Sequence, residues 1–163
     1  MSKEGLKIEG FSRVRIMENG KIKGDSGWCG PNQLTNDGIR MFLCARLGTE
    51  SGSLNVTHAG LGTGSAPASN ATALVGAVSG TGNVVIRAAV AAASDASTTE
   101  VFTATFASSN KFVTTSENIS CVGLFGHSSS AATVFAGNTY ASSTCATNQD
   151  VHSSYEIRFS TSA

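Results

Sequence analysis

The run from Asp150 to Ser160, DVHSSYEIRFS, alternates more cleanly than any other part of the chain. Val151, Ser153, Tyr155, Ile157 and Phe159 fall on one side of an extended backbone, and His152, Ser154, Glu156 and Arg158 on the other. Successive side chains of a strand point to opposite faces, so this period of two specifies a half-buried strand whose Phe159 face turns to a core. A sheet that is apolar on one face needs a second layer to cover it. Further strands are read at roughly Asn83 to Ala92, Thr98 to Ala107, Asn118 to Gly126 and Ala132 to Tyr140, separated by Ser, Asn, Gly and Asp segments of loop character. No helical period lies between them, which excludes parallel βαβ crossovers. The expected fold is mainly β: an antiparallel β-sandwich or jelly-roll-like packing, with one short helix near residues 36–47.

The first part of the chain supplies that helix. Residues 1–10 read as an extended N-terminal arm with apolar side chains at Leu6 and Ile8, and residues 11–163 as a single β-rich domain. Phe11 to Met17 alternates, Val14 and Ile16 against Arg13 and Arg15. Asn19-Gly20 then signals a type I′ hairpin with a short return strand, Lys21 to Lys23. In the loop GDSGWCGPN, Trp28 is either a plug over the core or a contact for a neighbour, the plug being favoured. Thr35 or Asn36 caps the helix, and Asp37 suits its first turn. Ile39, Phe42, Leu43 and Leu47 form one apolar stripe, and Gly48 stands where a left-handed residue ends a helix. A strand from Leu54 to Leu61 then enters a Gly/Thr/Ser/Ala/Pro loop that closes at the apolar anchor Leu74.

Composition narrows the chemistry. Charged residues are 13% of the chain, and 11 Lys and Arg balance 11 Asp and Glu. A neutral chain has no electrostatic pull toward phosphate backbones or anionic membranes, so neither nucleic acid nor a membrane is an expected partner. Arg13, Arg15, Lys21 and Lys23 make a modest basic face, read as a solvated edge or a salt-bridging contact to an acidic protein neighbour. Gly60, Gly62 and Gly64 lack the features of a nucleotide loop: Ser65 and Pro67 follow, and no Gly-Lys-Ser/Thr is present. They read as a flexible or close-packed turn. His58, His127 and His152 have no metal-ligand spacing, and no G-x-S-x-G elbow occurs. Cys29, Cys44, Cys121 and Cys145 are scattered without a C-x-x-C pair and read as free thiols. No cofactor, metal or catalytic set is expected.

Two segments carry a resemblance. Residues 32–74, NQLTNDGIRMFLCARL through NVTHAGLGTGSAPASNATAL, and Ser116 to Gly126, SENISCVGLFG, are followed by TVFAGNTY and the closing YEIRF. This order resembles a group of tailed-bacteriophage virion proteins. In that group a strand ending in a Gly-Thr-Gly-x-x-x-Pro loop precedes an x-Ala-Leu anchor, and a later Ile-x-x-x-Gly-Leu-Phe strand precedes the last hairpin. The similarity spans roughly residues 30–160. It departs from the pattern at Cys121-Val122, where many relatives carry an acid before Gly-Leu-Phe.

The resemblance implies a non-enzymatic virion structural protein on a β-sandwich, made in the host cytoplasm. A capsid decoration (cement) protein that binds across subunits of the major capsid protein is the first reading. A tail-fibre, collar or adaptor component is the alternative, and a carbohydrate-binding β-sandwich a third. A homo-oligomer, dimer or trimer, is expected. The candidate contact residues are Leu6, Ile8, Arg13, Arg15, Trp28 and Pro31.

Overall fold

The alternating C-terminal run takes part in the most extensive strand pairing of the molecule. The structure, a computed structural model, describes residues 5–48, 54–80, 86–96, 98–129 and 133–162. Strand β1 (Gly5–Glu18) runs antiparallel to β10 (Asp150–Ser162), in register from Gly5 opposite Ser162 to Met17 opposite Asp150. Asn19 and Gly20, at φ 50° and 75°, turn the chain into β2 (Lys21–Asp25). Positive φ at both positions is what the Asn-Gly signal anticipates. With β6 (Ala91–Ala96) and β7 (Thr99–Phe106) these strands form one five-stranded sheet, in the order β2-β1-β10-β7-β6. The second sheet joins β3 (Gln33–Leu34), β4 (His58–Gly62), β5 (Arg87–Ala89), β8 (Glu117–Phe125) and β9 (Val134–Cys145) in the order β3-β9-β8-β4-β5. Every ladder is antiparallel, and the two sheets pack as a β-sandwich.

The inner faces are those the alternation assigns. Val14, Ile16, Phe106, Val151, Tyr155 and Ile157 of the first sheet meet Ala59, Leu61, Val122, Leu124 and Ala136 of the second in one core. Burying each larger side chain stabilises the fold by roughly 1.5–3 kcal/mol. Phe159 shares the inward face but sits at the end of the sandwich, partly buried. Polar groups also cross the interior. Asn138 Nδ2 donates to Ser12 Oγ (3.1 Å) and to the Cys29 carbonyl (2.7 Å), and Asn32 Nδ2 donates to the Tyr155 hydroxyl (2.6 Å). Buried amides without such partners would cost several kcal/mol, on the order of 1–3 each.

Several expectations need correction. Gly5 to Gly10 is extended but is not a separate arm. β10 reaches Ser162, and its backbone continues the ladder along those residues; residues 1–4 lie outside the described residues. The strand expected at Asn83 to Ala92 falls partly outside them too, and its remainder divides at Val90 between β5 and β6, one in each sheet. Trp28 is no plug: half of its surface is exposed. The chain bonds to β1 through its neighbour instead, with Ser12 and Cys29 exchanging both backbone hydrogen bonds at 2.8 Å.

The helical segment starts as expected and then turns differently. Thr35 caps it by accepting from the Gly38 N–H (2.9 Å), and its hydroxyl donates to the Val134 carbonyl (2.5 Å). The segment is α-helical over Asn36–Gly38, π-helical over Ile39–Cys44 and α-helical again over Ala45–Leu47. A Cβ on Gly38 would run into the Phe135 carbonyl oxygen, so the glycine is what lets the first turn lie on β9. With Gly38 inward, Phe42 and Ala45 follow it into the interior, while Ile39 is 38% and Leu47 91% exposed. The expected stripe is therefore displaced around the helix. Gly48 is extended (φ −113°), not left-handed.

The outer face of the second sheet is closed by the loop after β4. Gly60, Gly123 and Gly137 stand side by side across three strands, Gly60 opposite Gly123 and Gly123 opposite Gly137. A Cβ at these positions would come within 2.9 Å of the Phe125 ring, 2.8 Å of Leu74 and 2.6 Å of Pro67, respectively. Pro67 and Leu74 are buried there, and Leu74 joins Cys121, Phe125 and Val134 in a second small core. The three-glycine run is thus close-packed: side chains at Gly62 and Gly64 would meet Cys121 and Val75. Because Pro67 cannot retreat without moving its backbone, Gly137→Ala is expected to lower stability by about 1–3 kcal/mol in urea unfolding, and Leu74→Ala by about 2–5 kcal/mol. An unchanged midpoint for Gly137→Ala would show that the loop does not rest on the glycine row.

Candidate interaction surface

The strands differ widely in length. β1 and β10 run for 14 and 13 residues, whereas β4 has five. At the end where β1 begins and β10 finishes, the inward side chains of the first sheet meet the helix in place of a facing strand. Ile8 and Phe159 are register partners there. With Leu6, Phe42, Leu43, Arg46 and Leu47 they line a cavity of about 300 Å³. A second cavity of about 200 Å³ adjoins it through Phe42, Leu43, Arg46 and Phe159, and is further lined by Leu54, Val56, Phe102 and Glu100.

The result is an open apolar groove flanked by protruding side chains. Leu47 and Leu6 are 91% and 70% exposed, although both are large aliphatic residues. Burying either would gain roughly 1.5–3 kcal/mol, so a contiguous exposed set of this kind marks a contact surface more than a scattered apolar residue does. Glu100 is the exception on its wall. It pairs with Ile157 in register and is followed by Phe102, Ala104 and Phe106 at the same parity, all turned inward. Its carboxylate accepts from Ser94 Oγ at 2.7 Å. Arg46 reaches the same cavity from the helix.

The sequence candidates separate into two groups. Leu6 and Ile8 lie on the groove. Arg13, Arg15, Trp28 and Pro31 do not; at the usual rise per residue, Arg13 is roughly 23 Å along β1 from Leu6. The acid facing Arg13 belongs to the same chain: Asp25 forms a two-point ion pair with it, and the guanidinium holds that carboxyl down at about 2. Lys23 likewise pairs with Glu18 at 3.0 Å. Two of the four cations of the basic face are thereby paired internally; Arg15 and Lys21 form no ion pair among the described residues. Trp28 and Pro31 are exposed, and neither lines the two cavities of the groove. Sequence reading missed Leu43, Arg46, Leu47, Phe102 and Glu100. A carboxylate interrupting the apolar side of Glu100-x-Phe102-x-Ala104-x-Phe106 is the one signal that could have marked this wall.

Groups suited to covalent or metal chemistry lie elsewhere and apart. Burial pushes the Cys121 and Cys145 thiols up to about 11, which keeps them protonated and poorly nucleophilic at neutral pH. Among the described residues, no three His, Cys, Asp or Glu side chains are placed to hold a metal ion. One titratable cluster stands at the β5 edge. The Arg87 guanidinium lies 3.6 Å over the Phe125 ring and donates to the carbonyls of His127 (3.1 Å) and Ser129, and the Ser129 N–H donates to His127 Nδ1 at 3.1 Å. Burial lowers Arg87 to about 10.

No family model, curated protein or solved structure matches this chain.

The β5-edge cluster predicts a pH response. His58 is lowered from its ordinary value, first by burial and then by the nearby His127 and Arg87. A depressed histidine favours the fold while neutral, so its contribution is complete above the unfolded value of about 6.5 and is lost as pH falls through the lower folded value. The thermal midpoint should therefore drop between about pH 7.5 and 5, and His58→Gln should flatten that drop. Equal slopes for the two proteins would assign the acid sensitivity to other groups.

Proposed function

We propose that this chain is a non-catalytic assembly subunit whose apolar groove docks against protein. The observation that carries the reading is the pair of protruding leucines, Leu6 and Leu47, beside an open cavity floored by Phe42 and Phe159. An apolar floor with a sparse charged rim has the make-up of a protein contact, where a buried core supplies affinity and the rim supplies register.

The finer reading is a head decoration subunit of a tailed-phage virion, bound to the major capsid protein. Its support is the resemblance of residues 32–74 and 116–126 to that group of virion proteins. Such a subunit works without chemistry. It adds contact area between neighbouring shell subunits, and because it binds only the assembled shell, occupancy shifts the equilibrium toward assembly by mass action. The balanced charge of the chain is compatible with close packing of many copies, since little mutual repulsion opposes it. In particles purified from the source, the copy number of this chain by quantitative gel is expected to approach that of the major capsid protein. A few copies per particle would place it in the tail, and absence from particles would remove the virion reading altogether.

A further inference from the structure

We propose that the occupant of the groove is a second copy of this chain, related by a two-fold axis; the proposal rests on the reading of the groove as a protein contact. Two-fold interfaces are built from one patch meeting itself, so each feature of the patch must find its complement within the same patch. This groove contains such complements in shape and in charge. Leu47 stands out from the helix beside a hollow floored by Phe42 and Phe159, so a two-fold neighbour offers a knob for each hollow.

The charges follow the same logic. Arg46, on the helix, and Glu100, on β7, line one cavity from opposite walls, and among the described residues no ion pair joins them. A two-fold operation sends each Arg46 to the partner's Glu100 side and makes two cross-subunit pairs from two separated charges. Glu100 gains most from this. It is a half-buried carboxylate on an apolar wall, with Ser94 as its hydrogen-bond donor, and covering it without a cation would strand a desolvated charge. A foreign partner would have to bring both a knob and a charge pair of matching spacing, whereas a second copy already carries both.

Sedimentation equilibrium of the isolated full chain, from about 1 to 200 µM, tests this in the range where weak dimers dissociate. A monomer–dimer equilibrium is expected. Leu47→Glu and Arg46→Glu should each raise the dissociation constant by about tenfold or more, as loss of a central contact does. At a concentration low enough for the wild type to be monomeric, the thermal midpoint of Leu47→Glu should stay with the wild type, because Leu47 is almost wholly exposed in the single chain. The double variant Arg46→Glu/Glu100→Arg should recover the dimer that Arg46→Glu loses. A chain monomeric throughout the range, a trimer, an association that neither single variant weakens, or a double variant no better than Arg46→Glu would each overturn the two-fold dimer. Copy number on particles is independent of these results, so failure here leaves the assembly reading to its own test.

Discussion

The arrangement of the second sheet depends on a row of three adjacent glycines, two of them closely approached by a loop and the third by the Phe125 ring. Gly60, Gly123 and Gly137 remove every Cβ from a strip that crosses three strands; Pro67 and Leu74 lie over Gly123 and Gly137, and the Phe125 ring over Gly60. Side chains there would push the loop outward by more than van der Waals contact allows. The loop in turn fixes its surroundings: the Asn36 N–H donates to the Ser69 carbonyl (2.6 Å), Val134 to Thr72 (3.3 Å), and Ser120 Oγ to Gly64 (2.7 Å). Helix start, β8 and β9 are thus all tied to one irregular segment. A sandwich normally leaves one face of each sheet to water. Here the second sheet is covered on both sides, which explains the near-continuous apolar run from Cys121 to Phe125.

Helix placement follows from the same neighbourhood. Thr35 bonds to carbonyls of β9, and Gly38 admits the first turn to within contact of Phe135. Once those contacts set the rotation of the helix, the side chains available to the interior are Phe42 and Ala45, and Phe42 packs against Phe135 with ring centroids 5.0 Å apart and the planes tilted by 39°. Leu43 and Leu47 are left on the outer side, next to the overhanging ends of β1 and β10. The groove is therefore a consequence of two local commitments, a tightly docked helix N-terminus and strands of unequal length.

Periodicity made most of the framework legible in the sequence. The two-residue alternation of β1, β7 and β10 is a property of the backbone itself, and the Asn-Gly turn requires a conformation few other pairs adopt. The helix was legible at Thr35 and Asp37 but not in its rotation, because the 3.6-residue rule locates an apolar stripe and cannot see Gly38 against a carbonyl 97 positions along the chain, that of Phe135. Trp28 illustrates a second blind spot. An aromatic flanked by glycines is ambiguous until the path of the loop is known, and here Cys29 takes the backbone contact with Ser12, leaving the indole outside. The groove shared this fate: its walls come from residues 6–8, 42–47, 54–56, 100–102, 135 and 157–159, and no local pattern connects them. Leu6 and Ile8 were accessible to sequence reading only because they stand out in a polar stretch.

Exposed apolar side chains occur at more than one place, and their settings separate them. Ile22, Trp28 and Val75 are each about half exposed, but none of them lines the groove, and β2 beside Ile22 carries Lys21 and Lys23, charges that oppose edge-to-edge pairing. Leu6 and Leu47 differ in having a concave apolar floor next to them, with Arg46, which forms no ion pair among the described residues, and an acid across it. On the outer face of the first sheet several charges are paired within the chain, Lys7 with Glu9, Arg13 with Asp25, and Arg158 with Glu156 and the Phe11 ring, while Arg15 forms no ion pair among the described residues. Exposed pairs of this kind add little stability, yet they leave few free charges to recruit a partner. What distinguishes the groove end is the conjunction of a concave apolar floor, two protruding leucines and opposite charges on one cavity, and this conjunction is what the proposed contact rests on.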